Sequence, residues 1–281
     1  MKRTVPMLRN FEEILERARE KGPGRLAVPS PRSRRVFQFL EEAEKAGLII
    51  PVIVGESAAA GEAIDEAIAL AANGEVDILF QGDAGLKDFL DALAAGDTGA
   101  APREALSYIS LFELPSENRL IMLTDTLVQS FPDIRQKVRI VENAIEFAGS
   151  LGIDMPKIAA LSVSEMVNFS VPSSLEAAVL ARMSERGQLK ALIDGPIDID
   201  CSSSRERALR KGLKSPVAGE VDIYFIPNIE AAYAIAEVLV FLAGRTPAGA
   251  LLGTEFPVVL NPSFEPARSL LLDTALASIR A

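Results

Sequence analysis

The chain has 281 residues, 49% of them hydrophobic and 24% charged, with a net charge of −10. That length exceeds one ordinary domain and that balance supports a packed interior, so two folded domains are expected and wholesale disorder is excluded. The negative charge repels nucleic-acid backbones, the lack of any histidine removes imidazole catalysis and imidazole metal ligation, and the single Cys201 can form no intrachain disulfide.

Taken in chain order, apolar periodicity predicts a helix over 11–20, a strand over 25–29 and a helix over 34–46. Arg32, Arg34 and Arg35 stand at the start of that second helix, either as a solvated edge or as a reception for a small anion. A strand over 51–54, a helix over 58–72, a strand over 77–80 and a helix over 86–94 continue the alternation. Strands over 106–114 and 119–124 then meet across four residues, too few for a parallel crossover, so an antiparallel hairpin is expected and marks a domain edge.

A helix over 134–150, a strand over 157–163, a helix over 174–186 and a strand over 190–193 follow. Beyond them come a strand over 222–226, a helix over 229–243, a strand over 250–252 and a helix over 266–279. Asp133 with Gln136, Ser173 with Glu176, and Ser203 with Glu206 have capping-box spacing. Nearly continuous apolar strands alternating with helices signal an α/β fold with parallel sheets covered on both faces.

The apolar stretch 231–243 is interrupted by Glu237 and falls short of a bilayer span, and the amino terminus shows no apolar signal core. A cytoplasmic protein with no membrane and no nucleic-acid partner is expected. Gly22-Pro23-Gly24 precedes a strand instead of following one, so it is no dinucleotide fingerprint, and no GxxxxGK[ST] loop occurs.

Candidate chemistry concentrates in 191–219. Asp194 ends a strand and Gly195-Pro196 turns the chain there, at the carboxyl edge where open α/β sheets place ligands; Asp194 reads equally as a turn-capping carboxylate. Further on, Lys214 and Ser215 precede a small-residue loop through Ala218 and Gly219, whose amides could hold a phosphate or an acyl carbonyl oxygen. A simple strand-entry loop is the plainer alternative.

DGP at 194–196 followed by KGLKSPVAGEVDIYFIPNIEAA, with LSYISLFELPSENRLIMLTDT and PDIRQKVRIVENAIEFAGSLGIDMPKIAALSVSE upstream, resembles the phosphate acetyltransferase and phosphate butyryltransferase family. The resemblance implies a two-domain open-sheet sandwich like the isocitrate and isopropylmalate dehydrogenases, with a cleft between domains. The division is expected at 1–130 plus 264–281 against 131–263. It also implies a homodimer, no metal, and reversible transfer of a short acyl group between coenzyme A and phosphate, with coenzyme A as substrate and no tightly bound cofactor.

In that frame Asp194 steers or moves a proton, Lys214 attracts an anion, and Ser215 with the Ala218 and Gly219 backbone contacts phosphate or oxyanion. Ser107, Ser110, Asp125 and Arg32 are secondary candidates. Several positions depart from the family pattern. Tyr108 follows Ser107 where the butyryl branch has histidine, Gln81-Gly82 replaces a Lys-Gly pair with Asp83 after it instead of a hydroxyl-rich turn, Pro262-Ser263 replaces Ser-Arg, and Ala232-Tyr233 replaces Gly-Asn. These departures keep open a non-catalytic protein that binds acyl-coenzyme A or another anionic metabolite as a sensor or partner.

Overall fold

The computed structural model describes residues 6–55, 60–95, 100–114, 116–262 and 267–281, without the side chains of 60 and 267. The chain forms two compact units. One comprises Arg9–Leu106 with Gly244–Ala281, the other Ser107–Ala243 with the described end of Met1–Leu8. This differs from the division read from the sequence: the hairpin opens the second unit instead of closing the first, and the carboxyl-terminal return begins at Gly244.

In the first unit, helix α1 (Phe11–Lys21) is capped by Asn10, whose side chain accepts from Glu13 N at 2.9 Å. Strand β1 (Gly24–Pro29) lies between β2 (Ile49–Val54) and β3 (Ile78–Phe80), and β3 continues to β10 (Val258–Val259) and then β9 (Pro247–Leu252). All of these pair in parallel except β10 with β9. Helices α2 (Arg34–Lys45), α3 (Ala60–Ala72), α4 (Leu86–Ala95) and α10 (Ala267–Arg280) complete the unit. Every residue of β9, PAGALL, is buried, as expected of a strand covered on both faces. Of these elements only β10 escapes sequence reading, because two residues carry no periodicity.

In the second unit, β4 (Ser107–Leu114) and β5 (Arg119–Thr124) form the expected antiparallel hairpin. Parallel strands follow in the order β5, β8 (Ile223–Phe225), β6 (Lys157–Leu161), β7 (Leu192–Ile197). Helix α5 (Ile134–Ser150) opens with the complete Asp133–Gln136 capping box. The other two boxes do not form as read. Helix α6 (Pro172–Glu185) starts one residue before Ser173, whose hydroxyl instead meets that of Ser162 at 3.0 Å. The cap near Ser203 is Ser204, which ends α7 (Ile199–Ser203) and starts α8 (Arg205–Arg210).

Helix α9 (Ile229–Glu237) passes into a π turn over Val238–Leu242, within the single helix expected there. On one side of this sheet Ala159, Leu161, Ile197, Cys201, Ala208, Val217, Ala218 and Val221 share a buried cluster. This cluster anchors the loop that precedes β8, with Val217 and Val221 wholly buried.

Candidate functional site

The loop between α8 and β8 is held from within. Ser215 Oγ accepts from Val217 N at 3.3 Å and Ala218 N at 3.2 Å, closing a tight turn, and Gly219 N donates to the Ser202 carbonyl at 2.8 Å. Gly219 has φ +79°, and a Cβ there would lie 3.0 Å from Arg205 N, so backbone freedom and close approach both call for glycine. The Ala218 and Gly219 amides are therefore already engaged, which corrects the expectation that they point outward as oxyanion donors. The Ser215 hydroxyl proton is still available to a ligand, because its oxygen acts here as acceptor.

Beside this loop is a cavity of about 390 Å³. Ala208, Leu209, Leu213, Pro216 and Ala218 form its apolar wall, and Arg205, Lys214 and Ser215 its polar one. Lys214 and Ser215 thus come together as expected. Arg205 was missed by sequence reading, because the short helix that starts with it was not resolved from the surrounding loop. Its signal was the run of basic residues at 205–214, in which position along one face could have separated pocket from solvent.

Asp194 is not among the residues lining that cavity. It lies half-buried on β7 opposite Ala159, and its Oδ1 accepts from Gly195 N at 2.9 Å, leaving Oδ2 without a hydrogen bond among the described residues. Between Ala159 and Leu161 the β6–β7 register shifts, so β7 advances three residues, to Ile197, while β6 advances two. Residues in register on neighbouring strands point the same way. Asp194 therefore shares the sheet face of Ala159 and of the cluster that backs the pocket. Gly195 takes the opposite face: a Cβ there would lie 3.1 Å from the Ala177 Cβ of α6 and 2.6 Å from the Ala160 carbonyl.

A second polar group borders the same region. Lys211 Nζ donates to Glu165 Oε1 at 2.8 Å and Asp198 Oδ2 at 2.7 Å, and Cys201 Sγ approaches Glu165 Oε1 at 3.4 Å. Burial opposes the Asp198 charge, but Lys211 and the Cys201 N–H outweigh it and hold the carboxyl down at about 2. Burial, followed by Asp198 and Glu165, pushes the Cys201 thiol up to about 11, so it is an unreactive thiol. Glu165, Asp198 and Cys201 have ligand atoms close enough for a metal ion, yet Lys211 already supplies the cation. An internal ion pair is the consistent description.

Ser107, Ser110 and Asp125 do not face a ligand. Ser107 Oγ accepts from Asn143 Nδ2 at 3.0 Å, and Ser110 and Thr126 share a hydroxyl bond at 2.8 Å, all buried. Asp125 is 3% exposed. Its Oδ1 accepts from Tyr108 N, Leu127 N and Val128 N at 3.2, 2.9 and 3.0 Å, and its Oδ2 from Gln129 N at 3.0 Å. Burial pushes this carboxyl up to about 6 against the pull of those four donors. Ser107 ties β4 to α5, while Ser110 and Asp125 tie the hairpin to the turn after β5, which corrects their reading as substrate contacts.

Arg32 belongs to the other unit, exposed before α2. Its backbone N–H and that of Ser33 both donate to Asp83 Oδ2, at 2.7 and 2.8 Å, while its side chain reaches Ser30 Oγ at 3.4 Å. Burial works against the Asp83 charge, but the Ser33 hydroxyl, the two amides and the Arg32 guanidinium hold its carboxyl below the usual range. Buried Gln81 accepts from Asn261 N at 2.8 Å and donates to Ala84 O at 2.6 Å, clasping the ends of β3 and β10. The residue that replaces a family lysine is thus consumed by the fold. Ser263 lies outside the described residues.

Mostly parallel strands with covering helices place the chain in the α/β class, with a cation-lined pocket beside a strand-entry loop. The family pattern described as "Phosphate acetyl/butaryl transferase" matches residues 59–263. The phosphate butyryltransferase of Clostridium acetobutylicum is 30% identical over 298 residues, covering 98% of this chain and 99% of the relative. The phosphate acetyltransferase of Thermotoga maritima is 30% identical over 293 residues, covering 96% and 99%. A branched-chain phosphotransacylase from Enterococcus faecalis superposes with a TM-score of 0.80 at 25% identity, covering 91% of this chain and 98% of that one. The chain belongs to the phosphate acetyl/butyryl transferase family.

Proposed function

We propose that the protein transfers a short acyl group between coenzyme A and inorganic phosphate. The observation that carries this reading is near-complete coverage of phosphate butyryl- and acetyltransferases, in a chain whose Lys214 and Ser215 line a cavity on the loop of strongest resemblance. In the reaction a coenzyme A thiolate adds to the carbonyl carbon of an acyl phosphate. The carbon–sulfur bond forms, the carbon–oxygen bond to phosphate breaks, and phosphate leaves with the electron pair. An ordinary thiol is mostly protonated at neutral pH, so a carboxylate that accepts its proton contributes directly to the rate. Asp194, with Oδ2 uncommitted, is the residue assigned that task.

Lys214 and the Ser215 hydroxyl then hold substrate phosphate, a charge-assisted contact available to an exposed ammonium. Coenzyme A is a substrate here, with acyl phosphate or phosphate as its counterpart; a cytoplasmic homodimer completes the reading. No helix among the described residues is long and apolar enough to cross a membrane.

The test supplies acetyl-, propionyl- or butyryl-coenzyme A with phosphate and follows release of free thiol. Turnover in the native protein should fall about 100-fold or more in Asp194→Ala, the scale of a lost proton-transfer group, which accepts the thiol proton in one direction and returns it to the departing thiolate in the other. An undiminished rate in that variant would remove Asp194 from the mechanism. A second reading, ligand binding without turnover, draws on Gln81, which stands where the family resemblance implies a lysine and whose side chain is spent on the fold. Coenzyme A binding by calorimetry with no thiol release would favour it.

A further inference from the structure

The loop that carries Lys214 is entered through a charge junction. Five basic residues fall within 205–214, and three of them meet carboxylates: Arg207 meets Asp200, Arg210 meets Glu206, and Lys211 meets both Glu165 and Asp198. The first two pairs are exposed, where solvent screening leaves an ion pair worth little. Lys211 differs. Its two carboxylates are each 23% exposed, and they come from separate segments, Glu165 after β6 and Asp198 at the end of β7. Lys214 forms no ion pair among the described residues, and it lines the cavity.

The backbone between the two lysines is fixed. Lys211 ends α8; Gly212, at φ +77°, donates its N–H to the Leu209 carbonyl at 3.0 Å, and Leu213 N donates to the Ala208 carbonyl at 2.9 Å. These are the two bonds of a Schellman turn, which glycine closes because it accepts the left-handed conformation. Leu213 then packs on the buried cluster, and Ser215 closes the next turn. Lys214 is thus presented from a rigid frame, three residues past a lysine that already holds two negative charges. Without the Lys211 charge, Glu165 and Asp198 would be left as partly buried carboxylates with oxygens within 4.8 Å of each other. Such a pair repels itself and draws the nearest available cation. Along the chain, the next lysine without a carboxylate of its own is Lys214.

We propose that Lys211 is a positioning residue: by saturating Glu165 and Asp198 it keeps the Lys214 ammonium free and directed at substrate phosphate. This rests on the acyl-transfer reading, with Lys214 as its phosphate contact. The thiol-release assay with butyryl-coenzyme A, run over a range of phosphate concentrations, tests it. Lys214→Gln sets the scale and should raise the phosphate KM about tenfold, the size of one charge-assisted contact. Lys211→Met should raise it by a similar factor while kcat changes less than about threefold. Joining the two changes should raise it no further than Lys214→Gln alone, because Lys211 acts through Lys214. The decisive variant joins Lys211→Met with Glu165→Gln and Asp198→Asn. With no carboxylates left to draw Lys214 away, its phosphate KM should return to within about threefold of native. Asparagine at 198 can still cap α7 as the aspartate does now. Lys211→Arg, which keeps the charge, should stay near native, and Arg210→Gln, with the same loss of charge one residue earlier, should leave KM unmoved.

An unchanged phosphate KM in Lys211→Met beside a raised one in Lys214→Gln would overturn the assignment and leave acyl transfer intact. So would a KM that stays high in the triple variant, the mark of a plain structural brace, or a double variant worse than either single one. An unaffected KM in Lys214→Gln would instead remove Lys214 from phosphate binding, and no thiol release from the native protein would sink the acyl-transfer reading; either result takes the role of Lys211 with it. Urea unfolding of each variant separates lost folding from lost binding. The triple variant leaves neither carboxylate charged and unpaired, so it keeps the comparison open even if Lys211→Met does not fold.

Discussion

Asp125→Asn separates a fold-holding carboxylate from a ligand contact. The amide oxygen can keep the three donors that Oδ1 now accepts, but the amide nitrogen would lie where Oδ2 accepts from Gln129 N, setting two donors face to face. An unmatched buried donor costs about 1–3 kcal/mol. Against this stands the ionisation cost that the variant no longer bears. Burial has raised the Asp125 carboxyl from 3.8 to about 6, which corresponds to about 3 kcal/mol between the low-pH and neutral limits.

Because the folded-state pKa lies above the unfolded one, this contribution to stability is fully present below about pH 4 and lost as pH rises through about 6. The native protein should therefore lose stability across that window while Asp125→Asn does not. The variant should be the weaker of the two at pH 4 and should close the gap, or reverse it, by pH 7. Urea unfolding at four pH values between these limits measures both curves. A stability difference that stays constant from pH 4 to 7 would refute the account, and a large change in KM at unchanged stability would return Asp125 to the ligand.

Gly219→Ala should destabilise by about 1–2 kcal/mol, the cost of a left-handed backbone at a residue with a Cβ. It should also weaken binding at the pocket, because the new carbon lies 3.0 Å from Arg205 N; melting and calorimetry together check it. Gly195→Ala drives a carbon to 2.6 Å from the Ala160 carbonyl and should cost about 3 kcal/mol or more in denaturant unfolding. Lys211→Met removes the main support of the Asp198 charge. The native carboxyl, depressed to about 2, stabilises the fold above about pH 4 and loses that effect as pH falls through about 2. In the variant its titration midpoint, followed by carbon NMR, should move upward, and an unmoved midpoint would count against the ion pair.

Long periodic segments are legible in the sequence itself. The helix 134–150 matches α5 at both ends, because a capping box and an uninterrupted apolar stripe coincide there, and the hairpin of β4 and β5 followed from loop length alone. What sequence could not resolve was short or depended on partners far along the chain. Strand β10 has two residues, and α7 and α8 break at Ser204, where one serine ends the first helix and caps the second.

The candidate site divides the same way. Lys214 and Ser215 were found because the loop chemistry is local. Ser107, Ser110 and Asp125 looked equally polar, and only their buried partners Asn143, Thr126 and the 127–129 amides reveal that they serve the fold. Asp83 carries no local signal of its role; in space its carboxylate accepts from the Arg32 and Ser33 amides before α2.

The uneven step between β6 and β7 makes residue count, as well as residue identity, part of the site. Asp194 and Ile197 face the same side only because β7 spends one residue more than β6 between the two pairings, and that surplus falls on Gly195-Pro196. A sequence that lost a single residue there could preserve every side chain named above and still rotate one part of the strand relative to the other. Either the carboxylate would leave the pocket side of the sheet or Ile197 would leave the core. Across relatives, the length of this three-residue motif should therefore be less tolerant of change than its composition.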